Sequence, residues 1–301
     1  MKNTLIYSTL IISSLIISGC GGSDDSTSVK NQENPQTPNT ELTEQLKQKI
    51  IETSAQSHIL AAKESFAFGM VDTALYGVDE VLYADAECES GQYKIVNNQI
   101  DFNECSGLFY QFEGDKHQSL VAKSGTVINN DGDYTFKNLV LENPITFETK
   151  TFSGTLKSLE TEDSAQVSSE SFSVKASEKN GTGFRNVSYL FENYQLQYTL
   201  KTPTELNISS NGQISVQNSA VGDYKIKFIT TDPLAIKVNQ DEEREGLPYR
   251  GAVKIENTDL KSTTLISAIP NTYNVQYQVL YGNQKIVDNT QTWTKIFGAE
   301  K

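Results

Sequence analysis

The chain has 301 residues, 37% of them hydrophobic and 21% charged, with a formal net charge of −13. That acid excess argues against a nucleic-acid partner and against docking on anionic lipid by charge. Its densest run, Asp241-Glu242-Glu243-Arg244-Glu245, reads as a solvated loop. With only two histidines and three cysteines there is no His/Cys spacing of a zinc site, so no metal ligands are assigned.

The chain opens with Lys2 ahead of an apolar stretch, Leu5 to Ile17, too short to span a bilayer as a permanent helix but suited to a secretion signal. Ile17-Ser18-Gly19-Cys20 then resembles a bacterial lipoprotein processing site. Residues 1–19 are therefore expected to be a signal peptide. Cys20 is expected to carry the lipid, whose several acyl chains hold far more firmly than one, at about 0.8 kcal/mol per buried methylene. Gly21 follows where an Asp would resemble an inner-membrane retention signal, which favours the outer membrane. Residues 20–40 are rich in Gly, Ser, Thr, Asn, Gln and Pro, cannot repay their ordering entropy, and read as a flexible tether.

From 41 to 78 the pattern is helical. Leu42, Leu46, Ile50, Ala55, Ile59, Ala62 and Phe66 form one stripe, with Thr40 as the expected N-cap and Gly69 as an interruption before a short turn through Val71 to Leu75. Such a helix is expected to cover its own sheet. Residues 79–301 are expected to be a β-rich domain, where from Gln92 onwards the period is 2, most plainly at Tyr194-Gln-Leu196-Gln-Tyr198, Tyr224-Lys-Ile226-Lys-Phe228 and Val275-Gln-Tyr277-Gln-Val279. Turns are expected at 129–132, 209–212, 232–233 and 281–283, and the β region reads as either one large domain or two subdomains dividing near 200–215. No long crossover helices alternate with these strands. The fold class that follows is mainly β: a many-stranded antiparallel sheet, curved or elongated, or a sandwich, with one N-terminal amphipathic helix packed on it.

Phe136-Lys-Asn138 to Asn143 echoes Phe184-Arg-Asn186 to Asn193, and a glycine follows an aromatic near Gly114, Gly154 and Gly251, where it would mark a bend or bulge. Once Cys20 takes lipid, Cys88 and Cys105 remain as one possible disulfide in an oxidising compartment, across the base of a hairpin turning at Asn97-Asn98.

Cys88-x16-Cys105 with Ile100-Asp-Phe-Asn-Glu-Cys105, the later Phe-x-Asn segments, and Pro248-Tyr-Arg-Gly-Ala-Val-Lys-Ile255 resemble the pattern of uncharacterised gammaproteobacterial envelope lipoproteins with a paired-Cys β domain. Those proteins often carry a Gly-rich turn after the second Cys; here Ser106-Gly107 stands in that place. The resemblance covers about residues 88 to 295. It implies architecture and location and names no activity.

No catalytic residues emerge. The chain has no Gly-x-Ser-x-Gly elbow and no phosphate-binding Gly-rich loop. Asn129-Asn-Asp131-Gly132-Asp133 lacks the spacing of a calcium loop and reads as a turn. His58 reads as a helix residue, on the helix surface or in contact with the sheet, and His117 as a loop residue. Glu192, Glu205 and Glu256 cannot be paired as an acid and a base from sequence. Tyr189, Phe191, Tyr194, Tyr198, Phe228, Tyr249, Tyr273, Tyr277, Tyr281 and Trp293 are expected mainly in the core, a few of them lining a groove. The expectation is a non-catalytic envelope lipoprotein without cofactor, anchored in the outer membrane and facing the periplasm or the cell surface. It would bind or organise an envelope protein, glycan or lipid. The alternative is a carrier or sensor of a hydrophobic ligand in a curved sheet. Labelled palmitate should enter the wild-type chain and be absent from Cys20→Ala; an unlabelled wild type would refute the anchor.

Overall fold

The computed structural model describes residues 42–298 apart from 67, 114–115, 221 and 239–243. Cys20, the tether, Thr40, Gly114 and the side chains of the acidic run at 241–245 lie outside the described residues.

The helical stretch forms two helices, α1 (Glu44–Phe66) and α2 (Met70–Tyr83). Thr43 begins α1: its Oγ1 accepts from the Leu46 amide at 3.2 Å and its carbonyl from the Lys47 amide at 2.9 Å. Glu44 in the first turn and Lys63 in the last suit the helix dipole. The expected stripe holds at Ile50, Ala62 and Phe66, which are buried, but Ala55 is exposed. The buried face is instead made of small residues, Thr53, Ser54, Ser57, Ala61 and Ser65, which let the helix approach the sheet closely. Beyond Gly69 the chain makes a 14-residue helix where a short turn was expected. Val71, Ala74, Val78 and Val81 supply its own apolar stripe and are almost fully buried. No helix among the described residues is long and apolar enough to cross a membrane.

Thirteen strands follow. They are β1 (Ser90–Val96), β2 (Gln99–Glu113), β3 (Lys116–Asn130), β4 (Asp133–Glu142), β5 (Thr149–Glu160) and β6 (Ser164–Asn180). After these come β7 (Gly183–Thr202), β8 (Glu205–Asn218), β9 (Tyr224–Val238) and β10 (Arg244–Asn257). The last are β11 (Ser262–Ala268), β12 (Asn274–Tyr281) and β13 (Gln284–Thr292), leading into a single helical turn, α3 (Trp293–Ile296). Each strand pairs antiparallel with its neighbours in sequence, so one open sheet runs from β1 to β13 without a crossover. Pairing of β7 with β8 carries it unbroken through 200–215.

One face is dry and the other wet. On β9 the pattern Tyr224, Ile226, Phe228 is buried and the intervening lysines are not. The dry face lies under the helices, α1 against β8–β11 and β13, and α2 against β2. A chain of rings crosses it: Phe136 to Phe172 at 5.4 Å, Phe172 to Phe191 at 6.4 Å, Phe191 to Tyr194 at 5.9 Å and Tyr194 to Phe228 at 6.3 Å.

The sheet is curved around the helices. Tyr194 of β7 donates from its hydroxyl to the Glu64 carbonyl at 3.2 Å. Two residues on, Phe66 stacks at 5.4 Å on Phe297, which stacks at 5.5 Å on Trp293 at the end of β13. Six strand spacings separate β7 from β13, about 29 Å if the sheet were flat. The Trp293 indole also donates to the Pro248 carbonyl of β10 at 2.8 Å.

A line of left-handed residues provides the bend. Gly125 (φ +122°), Asn138 (+52°), Gly154 (+120°), Asn193 (+50°) and Gly251 (+116°) sit on β3, β4, β5, β7 and β10, each at a break in strand register. Two expected turns, 209–212 and 232–233, also prove to be irregularities within β8 and β9; their Gly and Pro mark bulges in long strands. The other two expected turns are present. Asp131 and Gly132, both with positive φ, connect Asn130 to Asp133, and Gly282 with Asn283 connects Tyr281 to Gln284.

At Gly154 a Cβ would lie 2.7 Å from the Ser171 carbonyl oxygen and 3.0 Å from the Phe172 Cα, in a conformation that side chains rarely adopt. Gly181, at φ +61° in the β6–β7 turn, has nothing within 4 Å. Gly154→Ala should therefore cost about 2 to 4 kcal/mol and Gly181→Ala about 1. Urea midpoints would check this, and equal losses would mean that close strand contact is not the constraint.

Candidate functional site

Cys88 and Cys105 are joined, with Cα atoms 5.2 Å apart. The bond ties the start of edge strand β1 to β2, a linkage of about 3 kcal/mol on loop-closure grounds. The hairpin turns at Asn97-Asn98, with Val96 opposite Gln99. It is a structural clip with no base beside it in the pattern of a reactive thiol.

The other candidate residues scatter. His58 is buried on α1, its Nδ1 2.9 Å from the Ser54 carbonyl and its ring 4.9 Å from Tyr277 of β12. Burial holds its pKa down to about 4, so it is a neutral packing residue. His117 is in β3 opposite Phe112, not in a loop. Among the described residues no three His, Cys, Asp or Glu side chains gather as a metal site. Asn129 Oδ1 accepts from the Gly132 amide at 2.9 Å, a turn contact.

Glu192, Glu205 and Glu256 make separate partnerships. Glu192 takes Gln213 and Lys225, Glu205 takes Tyr249 and Arg250, and Glu256 pairs with Lys254. Of the aromatics, Phe191, Tyr194, Phe228, Tyr277 and Trp293 are core residues and Tyr273 is exposed. Tyr189 is half-buried and faces a cavity.

That cavity, about 630 Å³, lies between the α1–α2 corner and the sheet, with lining residues from β2 to β9. Ile59, Leu60, Phe68, Met70, Leu120 and Leu141 supply apolar lining. Polar lining comes from both the helices, with Gln56, Lys63, Glu64 and Thr73, and the sheet, where Lys150 is the central member. On β5, Lys150 pairs with Leu141 of β4 and Ala176 of β6, and Ala176 pairs with Val187 of β7. Leu141, Ala176 and Val187 are all buried, so Lys150 is a cation in an inward-facing apolar row.

Its one hydrogen bond to the protein is from Nζ to Gln111 Oε1, at 2.7 Å. Gln111 in turn donates to Gln118 Oε1 at 3.2 Å, which also accepts from Asn143 Nδ2 at 2.6 Å. These amides fix Gln111 in place but carry no charge to balance the ammonium. Burial, with the nearby charge of Lys63, lowers the Lys150 pKa, and Glu178, Glu148 and Glu64 pull it the other way.

The nearby carboxylates are already engaged. Glu178 accepts from Arg185 Nη2 at 2.8 Å and Nε at 3.1 Å, and from the Tyr189 hydroxyl at 2.5 Å. Glu148 accepts from the Lys179 amide at 2.7 Å and the Thr146 hydroxyl at 2.8 Å.

Glu64 borders the same cavity and is 1% exposed. Its Oε1 accepts from the Met70 amide at 2.7 Å, capping α2 where Gly69 has no side chain to do so. A Cβ on Gly69 would lie 2.2 Å from the Glu64 carboxyl carbon, so only glycine leaves room for this cap. Glu64 Oε2 has no partner. Burial pushes the Glu64 pKa up to about 7 despite the Met70 and Val71 amides, which act to lower it.

Neither Lys150 nor Glu64 stood out in the sequence. Alternation would have found the first, since Lys150 shares inward parity with Phe152. Nothing local marks the second. Comparison with protein-family models, curated proteins and solved structures returned no match for this chain.

A carboxyl whose pKa rises on folding favours the folded state below its unfolded value of 4.5, and that stability is lost as pH climbs through about 7. The loss amounts to about 3 kcal/mol at most. Glu64→Gln keeps the acceptor for Met70 but leaves an amide group unpaired. The variant should be more stable than wild type by roughly 1 to 2 kcal/mol at pH 8, and equal or slightly less stable at pH 4.5. Melting temperatures at the two pH values would show it; His58 is common to both chains and cancels. A difference independent of pH would refute the buried, late-titrating carboxyl.

Proposed function

We propose that this chain is a non-catalytic envelope lipoprotein, held at the outer membrane by lipid on Cys20, that binds a small amphipathic envelope component in the cavity beneath the α1–α2 corner. The observation carrying this reading is the cavity itself. At about 630 Å³ it falls within the range of small-molecule sites, and both the helices and the sheet line it with apolar and polar side chains. A filled interior would have favoured the purely structural alternative. Carriage or sensing of an apolar molecule suits a lining with Ile59, Leu60, Phe68 and Met70 along one side.

A second reading, docking of another envelope component on the surface, draws on Ile145 and Phe147 in the β4–β5 connection, which are 79% and 63% exposed. Asn143 and Glu148, at either end of that connection, border the cavity, so one loop serves both readings.

The mature chain can be exported on an ordinary secretory signal, so that it carries no lipid and needs no detergent. Organic extraction followed by mass spectrometry should then recover a stoichiometric apolar or amphipathic molecule. A blank extract, together with no melting shift from added amphiphiles, would refute the cavity reading and put surface docking ahead.

A further inference from the structure

Lys150 is a partly buried lysine with few protein partners. A buried charge is stable only when paired and hydrogen-bonded. Here the ammonium spends one of its three donors on a neutral amide, at Gln111, while Glu178 is held by Arg185 and Tyr189, and Glu148 by Thr146 and the Lys179 backbone. The two remaining Lys150 donors have no acceptor among the described residues. The side chain is partly accessible, and the cavity is the space it lines.

The charge around it favours an anion. Four cationic residues, Lys63, Lys150, Lys179 and Arg185, border the cavity against Glu64, Glu148 and Glu178, a formal excess of one positive charge, and Glu64 is buried with an Oε2 that has no hydrogen-bond partner among the described residues. That small excess stands inside a chain of net charge −13. Alongside it, Ile59, Leu60, Phe68 and Met70 present an apolar wall. An ion without an apolar part would leave that wall wet, and an uncharged apolar molecule would leave Lys150 uncompensated.

We propose that the cavity takes an amphipathic molecule with one acidic head, a carboxylate or a phosphate monoester, whose oxygens supply the missing counter-ion to Lys150 while its apolar part lies along the α1–α2 corner. The inference rests on the cavity being a ligand site, as proposed above. Gln111 is the positioning residue: held by Gln118, it aims the Lys150 ammonium and leaves its other donors for the ligand. No bond is made or broken in the exchange.

The test is calorimetric titration of the unlipidated mature chain with dodecanoate, dodecyl phosphate and dodecanol, which share a tail and differ in head. At least one acid should bind ten-fold or more tighter than the alcohol, and the tighter acid identifies the head. Lys150→Met should remove that preference while leaving dodecanol affinity within two-fold. Replacing an uncompensated cation by an apolar side chain of similar length should not impair folding; should it do so, the wild-type ratio of acid to alcohol still decides. Equal affinity for acids and alcohol would overturn the acidic-head proposal and leave the cavity as a neutral apolar site. An acid preference that survives Lys150→Met would overturn the role of Lys150. Absence of binding by all three probes would overturn both the proposal and the cavity reading beneath it.

Discussion

Long strands have to bend for this fold to exist. β7 alone has 20 residues, about 66 Å if straight, and the helices available to cover the dry face are only 23 and 14 residues long. A flat sheet of thirteen such strands would leave most of its apolar face in water. The line of left-handed residues across β3, β4, β5, β7 and β10 solves this by bending the sheet where backbones approach too closely for a side chain. Asparagine serves where a side chain fits and glycine where none does. Once bent, the sheet brings the end of β13 back to the end of α1, and Trp293, Phe297 and Phe66 stack into one column. The cavity is the part of the enclosed space bordered by Gln56, Ile59, Leu60 and Lys63 of α1 and by Phe68 to Met70 at the corner.

How much of this was legible follows from the range of the interactions involved. Period 2 is a local property, so the strands, their antiparallel pairing and the direction of their dry face could be read directly. The hairpin clipped by Cys88 and Cys105 was equally local. The bulges were legible in kind but not in place. Ser209-Ser-Asn-Gly212 and Asp232-Pro233 have turn composition, and only the hydrogen-bonded neighbours on both sides keep them inside strands. The internal echo was aligned on the wrong aromatic: Phe136-Lys-Asn138 corresponds in geometry to Phe191-Glu-Asn193, a buried Phe followed two residues later by a left-handed Asn. Phe184, chosen for its similar surroundings in sequence, is half exposed at the start of β7. α2 was underestimated because Gly69 ends one helix and also begins the next, with its cap supplied from five residues upstream.

The site was less legible because it depends on side chains that meet only after the sheet bends. Lys150 violates the alternation of β5, a signal available in the sequence, but a single lysine among strand residues usually marks an edge or a snorkelling surface chain. Glu64 looks like one more polar residue of a helix rich in them. What makes it unusual is Gly69 on one side, Tyr194 above its carbonyl, and an Oε2 buried with no hydrogen-bond partner among the described residues. None of these is visible at the level of composition or spacing.

The distribution of charge ties the cavity to the corner that forms it. On the wet face, acids and bases neutralise one another in water, as Asp288 does with Lys285 at 2.6 Å and Glu192 with Lys225 at 3.2 Å, and such pairs contribute little to stability. Under the helices Arg185 pairs with Glu178 at 2.8 Å, but Glu64 and Lys150 do not pair with each other. Glu64 is turned away to cap α2, where protonation is the way a carboxyl without a cation avoids the cost of burial. Lys150 is left facing the open space, with its charge disfavoured by that burial. A direct Glu64–Lys150 pair would have satisfied both and filled the site, at the expense of the cap that starts α2 and sets the corner. The geometry that builds the corner therefore also leaves the cavity positive, and an anion bound there would complete an electrostatic balance that the fold leaves unfinished.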